Sequence, residues 1–309
     1  MRWDDFRRSD NVEDYRDSSG GGGGFNLPGG INVGGGGGLG IGTVVVLGLL
    51  GWAFGIDPSI LIGGAEVLTG GQQRYERQIE QQAPSQTGKP KDASGDFVAA
   101  VLGDTEDTWN AIFKENGQQY RPPKLRLFRG AIQGGCGFAQ AAMGPFYCPT
   151  DRRVYIDTSF FQEIEQRFRG CSGPACKFAQ AYVLAHEVGH HVQNLLGILP
   201  KAQEAQQASG NRAAANRIQV RVELQADCFA GVWAARSNQR RNFIDPGDID
   251  AALQTANAIG DDTLQRKAQG RVVPDSFTHG SAEQRKRWFM TGFQSGKVSA
   301  CNTFGASSI

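Results

Sequence analysis

Residues 183–191 read Val183-Leu184-Ala185-His186-Glu187-Val188-Gly189-His190-His191. Within them lies H-E-x-x-H: His186, Glu187 and His190. On an α-helix, positions i and i+4 stack on one face. That spacing lets both imidazoles offer a ring nitrogen to a single zinc ion, with Glu187 beside the first of them. Zinc lowers the pKa of a bound water from about 15.7 to about 7, so a neighbouring carboxylate can take its proton near neutral pH. The chain has 4 histidines, and three of them fall between positions 186 and 191. Tyr182, Val183, Leu184, Ala185, Val188 and Val192 surround the motif. A helix bordered this way is expected to be buried, and buried polar groups need partners.

A catalytic zinc takes three protein ligands and leaves one position open. A third histidine six residues after His190 is excluded, because Gln193 and Leu196 stand where H-x-x-G-x-x-H would need Gly and His. Glu223, on a later helix, is the expected third ligand. Asp227 lies one turn further on the same face. It is placed to accept the free ring N–H of a ligand histidine. The alternative for Glu223 is a surface ion pair with Arg217 or Arg221.

Local signals set the elements around this centre. Pro174 and Gly197 bracket a helix of about 174–196. A long helix of about 203–238, broken near Gly210, carries Glu223 and Asp227. Apolar spacing predicts a helix over 96 to about 115. Lys124–Phe128 reads as a strand, Gly134–Gly137 as a turn, and Ala142–Tyr147 and Arg153–Asp157 as strands flanking a hairpin turn. Ser159–Arg169 reads as a short helix. Ser281 and Gln284 form a capping box, so a helix begins near 281 and runs to about 294. His279 then lies just before a helix N-terminus.

The chain has 309 residues and a formal net charge of +1, which suggests no nucleic-acid partner. Residues 1–38 combine a mixed-charge start with two glycine runs and read as a disordered tail. Residues 39–62 contain an uncharged stretch, LGIGTVVVLGLLGWAFG, just long enough to cross a ~30 Å hydrocarbon core at ~1.5 Å per residue. They read as a single transmembrane anchor. Residues 63–95 read as a partly helical linker, and 96–309 as the folded domain. All 6 cysteines follow the apolar stretch, which suits an oxidising compartment. The catalytic domain is therefore expected on the periplasmic or extracellular side, although Arg74 and Arg77 leave the orientation open. Six cysteines admit 15 pairings. Proximity favours Cys136–Cys148 and Cys171–Cys176, which leaves Cys228–Cys301.

H-E-x-x-H followed by E-x-x-x-D on a later helix resembles the gluzincin class of zinc metallopeptidases. The segments GPFYCPTDRRVYID, HEVGHHVQ, ELQADCFAG and FTHGSAEQR together resemble a bacterial neutral zinc metallopeptidase family over about 96–301. The resemblance implies an α+β, zincin-like domain, mainly helical with a small sheet. It implies one Zn2+ on His186, His190 and Glu223, with Glu187 as general base and then acid. The segment from His279 to Arg285 is similar to the THP-x4-R segment of membrane-associated gluzincins, with Gly280 in place of proline. On that likeness His279 is the expected transition-state donor, and Arg285 orients it or a nearby carboxylate. Tyr147 and Tyr155 are weaker donor candidates, and His191 points off the metal face as a structural residue. Ala141–Tyr147 suits a sheet edge that holds an extended peptide. The expected function is a membrane-anchored peptidase acting on peptide or protein. Two rivals are a zinc-stabilised, membrane-tethered binding module and a hydrolase of a non-peptide amide such as a cell-wall crosslink.

Overall fold

The computed structural model describes residues 1–16, 90–140, 144–166, 171 and 173–309. Helix α1 (Ala93–Glu115) begins where the Asp92 side chain accepts the Gly95 amide. Its apolar residues Phe97, Val98, Val101, Leu102 and Trp109 are buried. Helix α2 is Ser159–Gln166. Helix α3 (Cys176–Leu195) carries H-E-x-x-H and is entered through a 3-10 turn at Gly173–Ala175. Gly197, with φ +71°, turns the chain into α4 (Ile198–Gln207). The break expected near Gly210 falls between α4 and α5 (Arg212–Arg241), whose cap Asn211 accepts the Ala214 amide. Then follow α6 (Asp248–Ala258), α7 (Asp261–Gln269) and α8 (Ala282–Ser295). Both arms of the Ser281–Gln284 capping box are made.

Three helices pass close enough for the site to form. A Cβ at Gly189 would lie 3.0 Å from the Ala226 carbonyl oxygen, so α3 lies against the backbone of α5. Between α5 and α8 the approach is closer still. Side chains at Gly231 or Gly292 would overlap the backbone of Phe289 or Cys228. The Cys228–Cys301 disulfide fastens the segment after α8 to the same stretch of α5.

The sheet runs β1-β2-β6-β5, formed by Val12–Asp14, Lys124–Phe128, Arg153–Asp157 and Phe146–Cys148. The first three strands are parallel, and β5 pairs antiparallel with β6. A separate hairpin joins β3 (Ala131–Gly134) and β4 (Gly137–Gln140). The Cys136–Cys148 disulfide ties this hairpin to β5. Cys171–Cys176 closes the remaining short loop, so both proximity pairings and the remaining pair are present. An α+β arrangement, mainly helical around a small sheet, agrees with the expected fold class.

The N-terminus departs from expectation. Residues 1–16 are not part of a disordered tail, because they pack onto the domain. Phe6 is buried against Phe243, and Trp3 meets Phe97 edge-on. Val12 pairs with Leu125 in the sheet. Glu106 accepts from Arg7, Ser9 and Asn11 at 2.7, 2.6 and 2.8 Å. Gly103 has no side chain because one would overlap the Arg7 carbonyl. The partners of these charged residues lie on α1, far along the chain, so the mixed-charge start reads as unpaired in sequence. The folded domain therefore comprises 1–16 together with a body that begins at about 90 rather than 96.

The expected single-pass anchor needs correction on the same ground. Residues 39–62 lie outside the described residues, and no described helix is long and apolar enough to cross a membrane. One crossing between residues 16 and 90 would place β1 and β2 on opposite sides of a bilayer. They share backbone hydrogen bonds in one sheet. Arg16 also donates to Asp92 at 2.8 Å, across the two ends of that interval.

Candidate metal centre

Helix α3 presents His186 and His190 one turn apart, and α5 presents Glu223 opposite them. His186 Nε2 lies 3.2 Å and His190 Nε2 lies 3.4 Å from Glu223 Oε2. A tetrahedral zinc with bonds of ~2.0–2.1 Å separates its ligand atoms by ~3.3 Å, so these edges match its size.

The outer nitrogens decide what the inner ones can do. His186 Nδ1 lies 2.9 Å from Asp227 Oδ1, a carboxylate that can only accept. His190 Nδ1 lies 2.9 Å from Gln193 Oε1. That amide is oriented by its nitrogen, which donates to the Val222 carbonyl at 2.8 Å and to Gln225 Oε1 at 3.0 Å. Both Nδ1 atoms therefore carry a proton, and both Nε2 atoms converge on a carboxylate oxygen. Three converging lone pairs repel unless a cation or protons lie among them. The donor set of two imidazoles and one carboxylate fits zinc.

Asp227 is fully buried and accepts from four donors. His186 Nδ1, Tyr182 Oη at 2.6 Å and Arg285 Nη2 at 3.0 Å reach Oδ1, and Arg285 Nε reaches Oδ2 at 2.9 Å. Burial opposes its ionisation, but Arg285 and His186 outweigh burial and bring its pKa to about 2. Burial also opposes the charged form of Glu223, yet the adjacent His190 and His186 hold it well below the usual carboxylate range. Glu187 is buried and faces the same cleft. There burial is the dominant influence and pushes its carboxyl up. A raised pKa suits a group that must both take and return a proton.

Arg285 thus orients the carboxylate behind His186. His279 has a different partner, Asp261 at the start of α7. Asp261 Oδ2 accepts the amides of Thr278, His279 and Gly280 at 2.7, 2.6 and 3.0 Å, and Oδ1 lies 3.4 Å from His279 Nδ1. His279 stands half-exposed on the cleft wall, within electrostatic reach of Glu223.

The tyrosines and His191 do other work. His191 Nε2 donates to the Arg121 carbonyl at 2.7 Å, which leaves Nδ1 to accept from the Tyr147 hydroxyl at 3.1 Å. Asn194 donates to the same hydroxyl at 2.9 Å. Tyr147 therefore has its proton engaged, and it fastens β5 to α3. Burial pushes its pKa up to about 12 and pulls that of His191 down to about 4. Tyr155 donates to Asp151, beside the β3–β4 hairpin.

The cleft has a volume of about 730 Å3. Gly144, Pro145, Phe146 and Tyr147 line one side and the residues Leu199, Ala202 and Gln206 of α4 another. Residues 141–143, part of the expected edge segment, lie outside the described residues, but β5 is the edge of its sheet. Sequence reasoning passed over four residues that hold the site: Tyr182, Gln193, Gln219 and Asp261. Gln193 follows His190 by three positions and Gln219 precedes Glu223 by four, the helical spacings at which side chains meet. Asp261 and Tyr182 offered no such signal, because their partners are distant in sequence.

No solved structure matches the chain. Uncharacterized protein YpfJ of Escherichia coli K12 is 48% identical over 311 residues, covering 99% of this chain and 100% of that protein. Uncharacterized protein Rv2575 of Mycobacterium tuberculosis is 42% identical over 222 residues, covering 69% of this chain and 73% of that protein. The family model described as "Putative neutral zinc metallopeptidase" matches residues 1–304, a span that takes in the metal-ligand cluster and the packed N-terminus alike, and the chain belongs to that family.

Proposed function

We propose that this protein is a zinc-dependent peptidase that hydrolyses peptide bonds in the cleft between β5 and α4. The observation that carries the reading is the convergence of His186 Nε2, His190 Nε2 and Glu223 Oε2, with both Nδ1 atoms held by acceptors, beside buried Glu187. Zinc held by those three residues would supply a Lewis acid and lower the pKa of water to about 7. Glu187 takes the proton of the attacking water and delivers it to the leaving amine. Burial opposes the charged form of His279, but Asp261 beside Nδ1 favours it, and in that doubly protonated form Nε2 donates to the carbonyl oxygen as charge builds there. Asp227 and Arg285 keep the His186 ring in one tautomer and orientation. The edge strand β5 receives an extended substrate by strand addition.

The three disulfides support work in an oxidising compartment. Attachment to a membrane is proposed from the apolar stretch at 39–62, with residues 1–16 and 90–309 together on one side.

The test uses the full chain. Bound zinc is measured by elemental analysis, and cleavage of a mixed peptide library is followed for wild type and Glu187→Gln. One zinc in both with cleavage in wild type alone is the expected result. Zinc in both with cleavage in neither would point to a binding module, or to a non-peptide amide if cell-wall material is digested instead. No zinc in wild type would overturn the proposal.

A further inference from the structure

Resting on the metal reading above, we infer that Gln219 and Gln206 are positioning residues that hold Glu223 as a one-oxygen ligand and tie its orientation to the rim helix α4. Glu223 directs Oε2 at the two imidazoles. Its other oxygen, Oε1, accepts from Gln219 Nε2 at 2.8 Å. Gln219 Oε1 in turn accepts from Gln206 Nε2 at 2.8 Å. The direction of this chain is fixed at its inner end. A carboxylate can only accept, so Gln219 must turn its NH2 toward Glu223 and its carbonyl toward Gln206. Each bond polarises the next, and a carboxylate acceptor makes the inner one charge-assisted.

The consequence for the ligand is geometric. A carboxylate can bind through one oxygen or two. An N–H held against Oε1 competes with metal for that oxygen and keeps the plane of the carboxylate from rotating. Only Oε2 is then offered, which preserves a four-coordinate site with one open position. Because Gln219 is neutral, it achieves this without pairing away the negative charge that the ion needs.

The outer end of the chain lies where substrate enters. Gln206 and Gln219 both line the cleft. Helix α4 has Ala202 as its only buried residue and is bounded by Gly197 and the Ser209-Gly210 break. Helix α4 packs against both α3 and α5, and the Gln206–Gln219 bond is a polar link from it to the proposed metal ligands.

The experiment compares wild type, Gln219→Leu, Gln206→Leu and the double variant as full-length chains. Zinc dissociation constants come from chelator competition, visible spectra from the Co2+-loaded proteins, and melting temperatures from the chelator-stripped proteins. The expected result is 10–100-fold weaker zinc binding in Gln219→Leu, the range for loss of a group that orients a ligand. The Co2+ absorption should weaken as Glu223 takes up two-oxygen coordination. Gln206→Leu should lose affinity in the same direction by less, and the double variant should match Gln219→Leu, since the outer bond acts only through the inner one. A Gln219→Leu protein that melts as wild type does, binds zinc within twofold of it and shows the same Co2+ spectrum would overturn the inference. Losses that multiply in the double variant would overturn the relay. If Gln219→Leu does not fold, Gln206→Leu on the exposed helix decides the matter: unchanged affinity and spectrum overturn the inference. Wild type without zinc overturns the metal reading itself, and that failure is visible before any variant is made.

Discussion

Arg285 donates to Asp227 through two nitrogens, Nε to Oδ2 at 2.9 Å and Nη2 to Oδ1 at 3.0 Å, and both side chains are buried between α5 and α8. The pair stands directly behind His186, so breaking it has two effects. Arg285→Met leaves a buried carboxylate without its cation, which typically costs about 3–5 kcal/mol of stability. It also frees the carboxylate that fixes the His186 ring. Chelator-stripped Arg285→Met should unfold at lower denaturant, and its zinc affinity should fall by about 10–100-fold. An intact zinc affinity in a folded variant would show that Asp227 holds His186 unaided.

His279 and Tyr147 make opposite predictions. His279 faces the cleft with Nδ1 beside Asp261, and Nε2 is the atom proposed to meet substrate. Tyr147 spends its proton on His191. His279→Ala should lower kcat by about 10²–10³, as loss of one oxyanion donor does. Tyr147→Phe should keep kcat within a few fold and lose about 1 kcal/mol of stability, the net worth of a typical hydrogen bond. Steady-state kinetics and denaturant titration of the two variants check both statements.

Acid should detach the N-terminal strand. Burial opposes the charge on Glu13, but Arg126 at 2.8 Å, with Lys124 and Arg153 nearby, outweighs it and lowers its pKa. A depressed carboxyl pKa stabilises the fold above the ordinary value of about 4.3, and that stability is lost as pH falls below it. Asp96, held by Arg8, and Asp92, held by the Gly95 amide and Arg16 against burial, shift in the same direction. Amide protection in residues 1–16, relative to intrinsic exchange at each pH, should therefore fall below pH ~4 before that in α3 does. An equal fall in both would mean that the segment does not open by itself.

The pairing of β1 with β2 keeps residues 1–16 with the rest of the described domain, so in the proposed membrane attachment both lie on one side. Single cysteines placed at exposed Asp5 and Lys201 should react alike with a membrane-impermeant maleimide in intact cells. Labelling of one with protection of the other would restore the single-crossing anchor.

The candidate metal ligands were legible because helical periodicity is local. His186 and His190 share a face by spacing alone, and the Ser281–Gln284 box is complete within four residues. The strands Lys124–Phe128 and Arg153–Asp157 were legible from their alternating or apolar runs and flanking turns. The packed N-terminus was not, because the acids that pair with Arg7, Arg8 and Arg16 include Asp92, Asp96 and Glu106, roughly 75–100 residues away. Charge in a sequence carries no record of which distant partner will neutralise it.

By itself, the sequence determined the candidate donor set: a helix with two imidazoles at one-turn spacing, a carboxylate between them, and an acidic residue on a second helix to complete the set. Only the tertiary structure decided which groups hold those ligands. Asp227 stands behind His186 because glycines 231 and 292 let α8 reach the backbone of α5 and bring Arg285 inward. Asp261 belongs to His279, and Gln206 to Gln219, through contacts set by helix crossing and side-chain reach. Such contacts form between surfaces, and their geometry exists only once the helices have packed.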